Sequence, residues 1–177
     1  MNTKQVCFNA LIVFILVLFL SSSELLAAQI KLEIVSQRSS PIRIEKYETD
    51  FKVLEAKSCG AVVHQIRYKN LSKAEIVEAV QFGIISYDVF NGFQNRAGAI
   101  STEELMPGMS KKGTWYNDYD ESFMFGYGYV FVVKVKYADG RIWEFNRDDV
   151  AENILKTFPY FNPAAMTDKD FRFLPER

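Results

Sequence analysis

Few residues in this chain are suited to chemistry. Its 177 residues include one histidine, His64, and two cysteines. A single histidine excludes multi-histidine zinc centres, and two cysteines exclude a cysteine-rich metal site or a disulfide-stapled miniprotein. Neither sign of charge dominates, with 21 basic and 22 acidic residues and a net charge of -1. Nucleic-acid readers concentrate lysine and arginine on one face, so no nucleic-acid partner is expected. Nine glycines without a fixed period exclude a collagen-like chain. No apolar run reaches the roughly 20 residues needed to cross a bilayer as a helix, so no stable membrane span is expected once the leader is removed.

The leader is the first thing present. Lys4 precedes an uninterrupted apolar stretch from Ala10 to Leu20, followed by polar Ser21 to Glu24 and the small pair Ala27-Ala28. That is the order of charged, apolar and cleavage regions in a secretory signal peptide. Residues 1–28 are therefore read as a leader, and the exported form, periplasmic or secreted, is expected to begin near Gln29. Removing Lys4 and Glu24 leaves 20 basic and 21 acidic residues. Cys7 leaves with the leader, so Cys59 remains alone and no intramolecular disulfide can form.

The exported part alternates apolar and polar residues in steps of two, the signature of half-buried strands. Ile30, Leu32 and Ile34 form one such set, Ile42 and Ile44 another, and Val62, His64, Ile66 and Tyr68 a third. The stretch Ile76 to Val89 carries apolar residues on both faces, Val80, Phe82 and Ile84 against Ala79, Gly83 and Ile85. A glycine-containing loop is expected over Asn91 to Ser101, then a turn at Pro107-Gly108 and a strand from Lys111 to Tyr116.

Tyr129, Phe131, Val133 and Val135 are expected to line one face of a late strand that turns back at Asp139-Gly140. A two-residue turn would set Val135 opposite Glu144. A three-residue loop, Ala138-Asp139-Gly140 with Gly140 left-handed, sets Val135 opposite Trp143, Val133 opposite Phe145 and Lys134 opposite Glu144. A one-residue slip inverts every side chain, so the binary pattern selects the three-residue loop.

After Phe145 the period becomes helical. Asn146 can cap the helix with Asp149 three residues on, Val150, Ile154, Leu155 and Phe158 fall on one face, and Pro159 ends it. The tail from Asn162 is expected either to drape over the domain or to be disordered. Some seven strands and one terminal helix predict a mainly β chain, an immunoglobulin-like antiparallel β-sandwich with a C-terminal α-helix. The expected division is a leader over 1–28, a sandwich over 29–146, and a helix and tail over 147–177.

The segment Tyr68-Lys69-Asn70-Leu71-Ser72, the strand from Ile76 with Tyr87-Asp88, and Pro107-Gly108-Met109-Ser110 before a strand together resemble the FxLYD-type and related small exported bacterial modules, over roughly residues 60 to 145. The resemblance implies an extracytoplasmic immunoglobulin-like sandwich and carries over no catalytic residue.

The chain is therefore expected to be an exported, non-enzymatic binding or cell-envelope-associated module with no cofactor; its ligand and partner stay unidentified, an envelope protein being the candidate partner. Two rival readings stay open. A secreted cysteine-dependent hydrolase would use Cys59 and His64, because a thiolate beside an imidazole is a nucleophile arrangement. A calcium-dependent adhesion domain would use the oxygen ligands of Asp118, Asp120 and Glu121, although ordinary turn chemistry accounts for that cluster and no metal is expected. His64 is otherwise a core-edge histidine with one hydrogen-bond partner. Asn70-Leu71-Ser72 fits a glycosylation sequon, and a turn role accounts for it equally well. For recognition, two loops stand out, one containing Phe93 and Arg96 and one running from Tyr116 to Tyr127. The expected contact surface is Tyr119, Phe123 and Phe125 rimmed by Asp118, Asp120 and Glu121. The alternative is that these rings plug one end of the sandwich.

Overall fold

The computed structural model describes residues 30–53, 60–119, 125–166 and 172–174. These form nine strands, an α-helix and a short 3-10 helix: β1 Lys31–Ile34, β2 Ile42–Val53, β3 Gly60–Asn70, β4 Val77–Asp88, β5 Phe93–Ser101, β6 Ser110–Tyr119, β7 Phe125–Tyr137, β8 Ile142–Glu144, α1 Arg147–Thr157, the 3-10 helix Pro163–Ala165, and β9 Arg172–Leu174. The chain is mainly β, with two sheets in a sandwich-like arrangement and one α-helix. One sheet has the order β2-β3-β6. The other has the order β1-β7-β4-β5-β9, with β8 also on β7.

The larger sheet is covered on both faces. Against the smaller sheet it buries Val80, Phe82, Ile84, Val130, Val132 and Val135, which meet Tyr47, Ile66, Tyr68 and Trp115. On its other face Ile85, Tyr87, Tyr129, Phe131 and Val133 pack under α1 and the tail, against Val150, Ile154, Phe158, Phe161 and Met166. Double coverage explains why β4 and β7 read as nearly continuous apolar runs. Hydrogen bonds cross between the sheets: the Tyr68 hydroxyl donates to Ser101 Oγ at 2.8 Å, and Trp115 Nε1 donates to the Ile100 carbonyl at 3.2 Å.

The hairpin after β7 has the expected three-residue loop. Lys134 pairs with Glu144 and Val135 with Trp143, the Phe145 N–H donates to the Val133 carbonyl at 3.0 Å, and Gly140 has φ +87. Lys134 and Glu144 form an ion pair at 2.9 Å. The Asn146 side chain accepts hydrogen bonds from the Asp148 and Asp149 N–H groups, capping α1 as its sequence predicts. The described tail residues pack on the domain: Met166 is buried beneath α1's layer, and β9 pairs in parallel with Ala97 to Ala99 of β5.

Four expectations are corrected. Tyr129, Phe131 and Val133 share a face, but Val135 lies on the opposite one. Between the pairs Gln81–Lys134 and Phe82–Val132, Val133 is an extra residue on β7. This bulge resets the alternation and sends Val135 between the sheets. Tyr129 and Phe131 consequently fill the layer under α1, not the space between the sheets. Residues Phe93 to Ser101 form strand β5 in place of a loop. The small residues Ala97 and Ala99 are buried there against β4, an instance of packing overriding weak strand propensity. Finally, Leu155 of α1 is exposed, and Ala151 takes the buried position on the helix face.

Candidate functional site

The strand ends around Phe125 come first, because the expected contact surface lies there. Phe125 opens β7 opposite Asp88, and Gly126 is an extra residue before Tyr127 pairs with Tyr87. This second bulge turns Phe125 and Tyr127 to opposite faces of the sheet. The Phe125 ring therefore points between the sheets, where it is only 3% exposed and meets Phe51 and His64 edge-on at centroid distances of 6.1 and 6.3 Å. Gly128 leaves room for it, since a Cβ there would lie 2.8 Å from the ring and 3.1 Å from the Tyr47 hydroxyl. Phe125 is thus a packing residue and not part of an exposed surface. Asp118 and Tyr119 stand at register positions on β6 opposite Ala61 and Gly60. Asp120, Glu121 and Phe123 lie outside the described residues, as does Cys59, so the hydrolase and calcium readings rest on positions the structure does not describe. Among the described residues no three His, Cys, Asp or Glu side chains gather to hold a metal ion.

His64 is fully buried, deeper than a core edge. Its Nδ1 lies 2.9 Å from the Tyr47 hydroxyl and shares a hydrogen bond with it, and the two rings stack at 6.0 Å. Nε2 has no hydrogen-bond partner among the described residues, and neither does Asn117 Nδ2. Burial pushes the imidazole pKa down to about 3, so the ring is neutral at physiological pH. An imidazole held so far below neutrality and out of solvent is poorly placed to act as a general base.

Asn70 of the sequon is also committed to the fold. Its Nδ2 donates to the carbonyls of Glu75 and Leu105 at 2.8 and 3.1 Å, and its Oδ1 accepts from the Ser72 N–H. The side chain organises the turn after β3 and is buried away from any modifying enzyme.

Exposed aromatic surface appears instead at the β4–β5 hairpin. Asp88 Oδ1 accepts hydrogen bonds from the Phe90 and Gly92 N–H groups at 2.8 and 2.7 Å, and Asn91 has φ +67. This tight turn holds Phe90 at 78% exposure, beside Phe93 at 48%. Arg96 lies 5.3 Å over the Phe93 ring. The hairpin joins the α1 side through Tyr87, which meets Phe93 at 5.9 Å and Phe158 at 4.4 Å, and Phe158 in turn meets Tyr160, itself 71% exposed. Burial pushes the Tyr87 phenol up to about 12. The composition around Phe93 and Arg96 points to this region. Phe90 and Tyr160 escape sequence reasoning because nothing local says that the ends of β4 and α1 lie together.

No protein-family model matches the chain, and no curated protein matches it. Two solved structures are similar in part. A hypothetical protein of Peptoclostridium difficile 630 aligns at 10% identity over 69% of this chain and 93% of its own, with a TM-score of 0.43. A structural-genomics target aligns at 15% identity over 59% of this chain and 80% of its own, with a TM-score of 0.39. Likeness this distant says nothing about function.

Proposed function

We propose that the chain is an exported, non-enzymatic binding or cell-envelope-associated module of immunoglobulin-like type, related to the FxLYD-type modules, which meets an envelope protein through the β4–β5 hairpin. The observation that carries this reading is Phe90, a large apolar ring presented to solvent on a turn fixed by its own Asp88 hydrogen bonds. Rigid aromatics give large contact area at low entropy cost, and a scaffold-held loop is where recognition residues collect. Phe93 and Tyr160 extend the apolar surface, and Arg96 adds a cation. The leader pattern of residues 1–28 supports export. The strand order supports the immunoglobulin-like assignment: β2, β3 and β6 fall where strands A, B and E would lie, β4, β7 and β8 where C, F and G would, and β5 in the C′ place. The full burial of His64 supports a non-enzymatic role.

Envelope fractionation tests the reading. Exported wild-type protein is expected to co-sediment with envelope material, and a Phe90→Ser/Phe93→Ser variant of unchanged thermal stability is expected to stay in the supernatant. Equal retention of the two proteins would defeat the assignment of the hairpin. A wild-type protein still carrying Met1 inside the cell would defeat export.

A further inference from the structure

Residues 35–41 carry the chain from β1 in the larger sheet to β2 in the smaller one. Where they cross, the sheets leave a cleft of about 280 Å³, walled by Ile34, Val35, Ile42, Ile44, Leu71 and Val132. Polar groups along it are already engaged. The Gln37 side-chain amide stands in for a strand on β7 between β1 and β8, donating to the Val132 carbonyl and accepting from the Val132 N–H at 2.8 Å each. The Ser36 carbonyl accepts from Asn153 Nδ2, and Ser40 Oγ donates to the Ile42 carbonyl. What these groups leave open to a ligand is mainly apolar surface, and Ile34 and Leu71 are 39% and 46% exposed along it.

A second recess adjoins the first and shares Arg43 and Leu71 with it. Leu71 stands between them because its N–H donates to the Pro41 carbonyl at 2.8 Å. The second recess adds Lys69 and Lys73 to its lining, and among the described residues no acid lines either one. Arg43 and Lys69 are direct cross-strand neighbours on β2 and β3, a like-charge pair that weakens a sheet. The chain itself compensates little. Arg43 reaches Glu45 only at 3.6 Å and shares that acid with Arg67 at 3.3 Å, and Glu75, beyond Ser72, is held by Arg141. Lys69 and Lys73 have no ion-pair partner among the described residues.

We infer that the two recesses form one binding site for a single-chain amphiphile with an anionic head, its acyl chain in the cleft between the sheets and its carboxylate or phosphate against Arg43, Lys69 and Lys73. An apolar recess with a few convergent polar groups at one end is the usual form of a small-molecule site, the polar groups fixing the orientation. At about 30 Å³ for each water-sized group, the cleft has room for roughly nine methylenes, which suits a medium-length chain. The chain takes the exposed parts of Ile34 and Leu71 out of water, and the head relieves the repulsion between Arg43 and Lys69.

Equilibrium dialysis of the purified full chain tests the site, with decanoate and decyl phosphate as ligands below their micelle-forming concentrations, decanol as the uncharged control and inorganic phosphate as the head alone. The wild type is expected to bind at least one of the two anionic amphiphiles about tenfold more tightly than decanol, and which of them it binds identifies the head. Inorganic phosphate is expected not to saturate the protein. Lys69→Glu/Lys73→Glu should weaken the anionic ligand about tenfold and leave decanol unchanged, since two attractive contacts become repulsive. Leu71→Asp should weaken charged and uncharged ligands alike, about tenfold, through lost apolar contact. Should Leu71→Asp fail to fold by circular dichroism, Ile34→Asp carries the same test. Absence of binding by both anionic amphiphiles, decanol or phosphate bound as tightly as they are, or affinities indifferent to the variants would each overturn the inference. Every variant keeps the apolar stretch Ala10 to Leu20, so binding there would show as that indifference. The β4–β5 hairpin lines neither recess, so Phe90→Ser/Phe93→Ser is expected to bind as the wild type does, and loss of envelope retention and loss of amphiphile binding are separable outcomes.

Discussion

His64 makes the stability of this protein depend on pH in a calculable way. The ring is wholly buried, faces Tyr47, Trp115 and Phe125, and has its pKa pushed from 6.5 to about 3 by burial. Between those two values the unfolded chain binds a proton that the folded chain refuses. The stabilisation from the neutral ring is therefore complete above pH 6.5 and is lost as the pH falls towards 3. The slope is about 1.4 kcal/mol per pH unit, so about 2 kcal/mol is lost from this one group between pH 7 and pH 5. Replacing His64 with glutamine removes the titration and retains a partner for the Tyr47 hydroxyl. Urea denaturation of both proteins at pH 7 and pH 5 isolates the effect, since every other titrating group is common to the two. Glutamine is expected to be the less stable side chain at pH 7, and the gap should narrow, or reverse, by about 2 kcal/mol at pH 5. A gap that stays the same at both pH values would mean that the imidazole is solvated or paired when protonated, and the burial argument would fail.

Two further outcomes follow from the packing. Gln37→Leu removes both hydrogen bonds to Val132 from the middle of β7, leaving a backbone N–H and C=O without partners, and a loss of about 2 kcal/mol is expected in urea unfolding; no change would mean that water replaces the amide without cost. Phe125→Ser should cost about 3 kcal/mol or more because it empties a buried aromatic site, whereas Phe90→Ser should stay within about 0.5 kcal/mol of wild type. Equal effects of the two substitutions in thermal melts would refute the division between packing and surface rings.

The sequence by itself determined what nearest neighbours along the chain can decide. The loop Ala138 to Gly140, the pairs Val135–Trp143 and Lys134–Glu144, and the Asn146 cap all depend on residues within about ten positions of one another, where alternation and turn chemistry admit one low-energy answer. The same holds for the double-sided burial of β4, visible as apolar residues at both parities. Tertiary structure alone decided the rest. The bulges at Val133 and Gly126 arise because β7 must match β4 while packing a sheet on one face and a helix on the other, and no local pattern marks the extra residue. They determine that Val135 and Phe125 turn inward, which is why the expected aromatic surface lost Phe125 to the core. Gln37 is 95 residues from Val132 in sequence, and its role as a side-chain substitute for a strand exists only once β1 has docked. The link from Phe93 to Tyr160 likewise depends on the hairpin and the end of α1 meeting over Tyr87 and Phe158, a contact between distant segments that hydrophobic periodicity cannot specify.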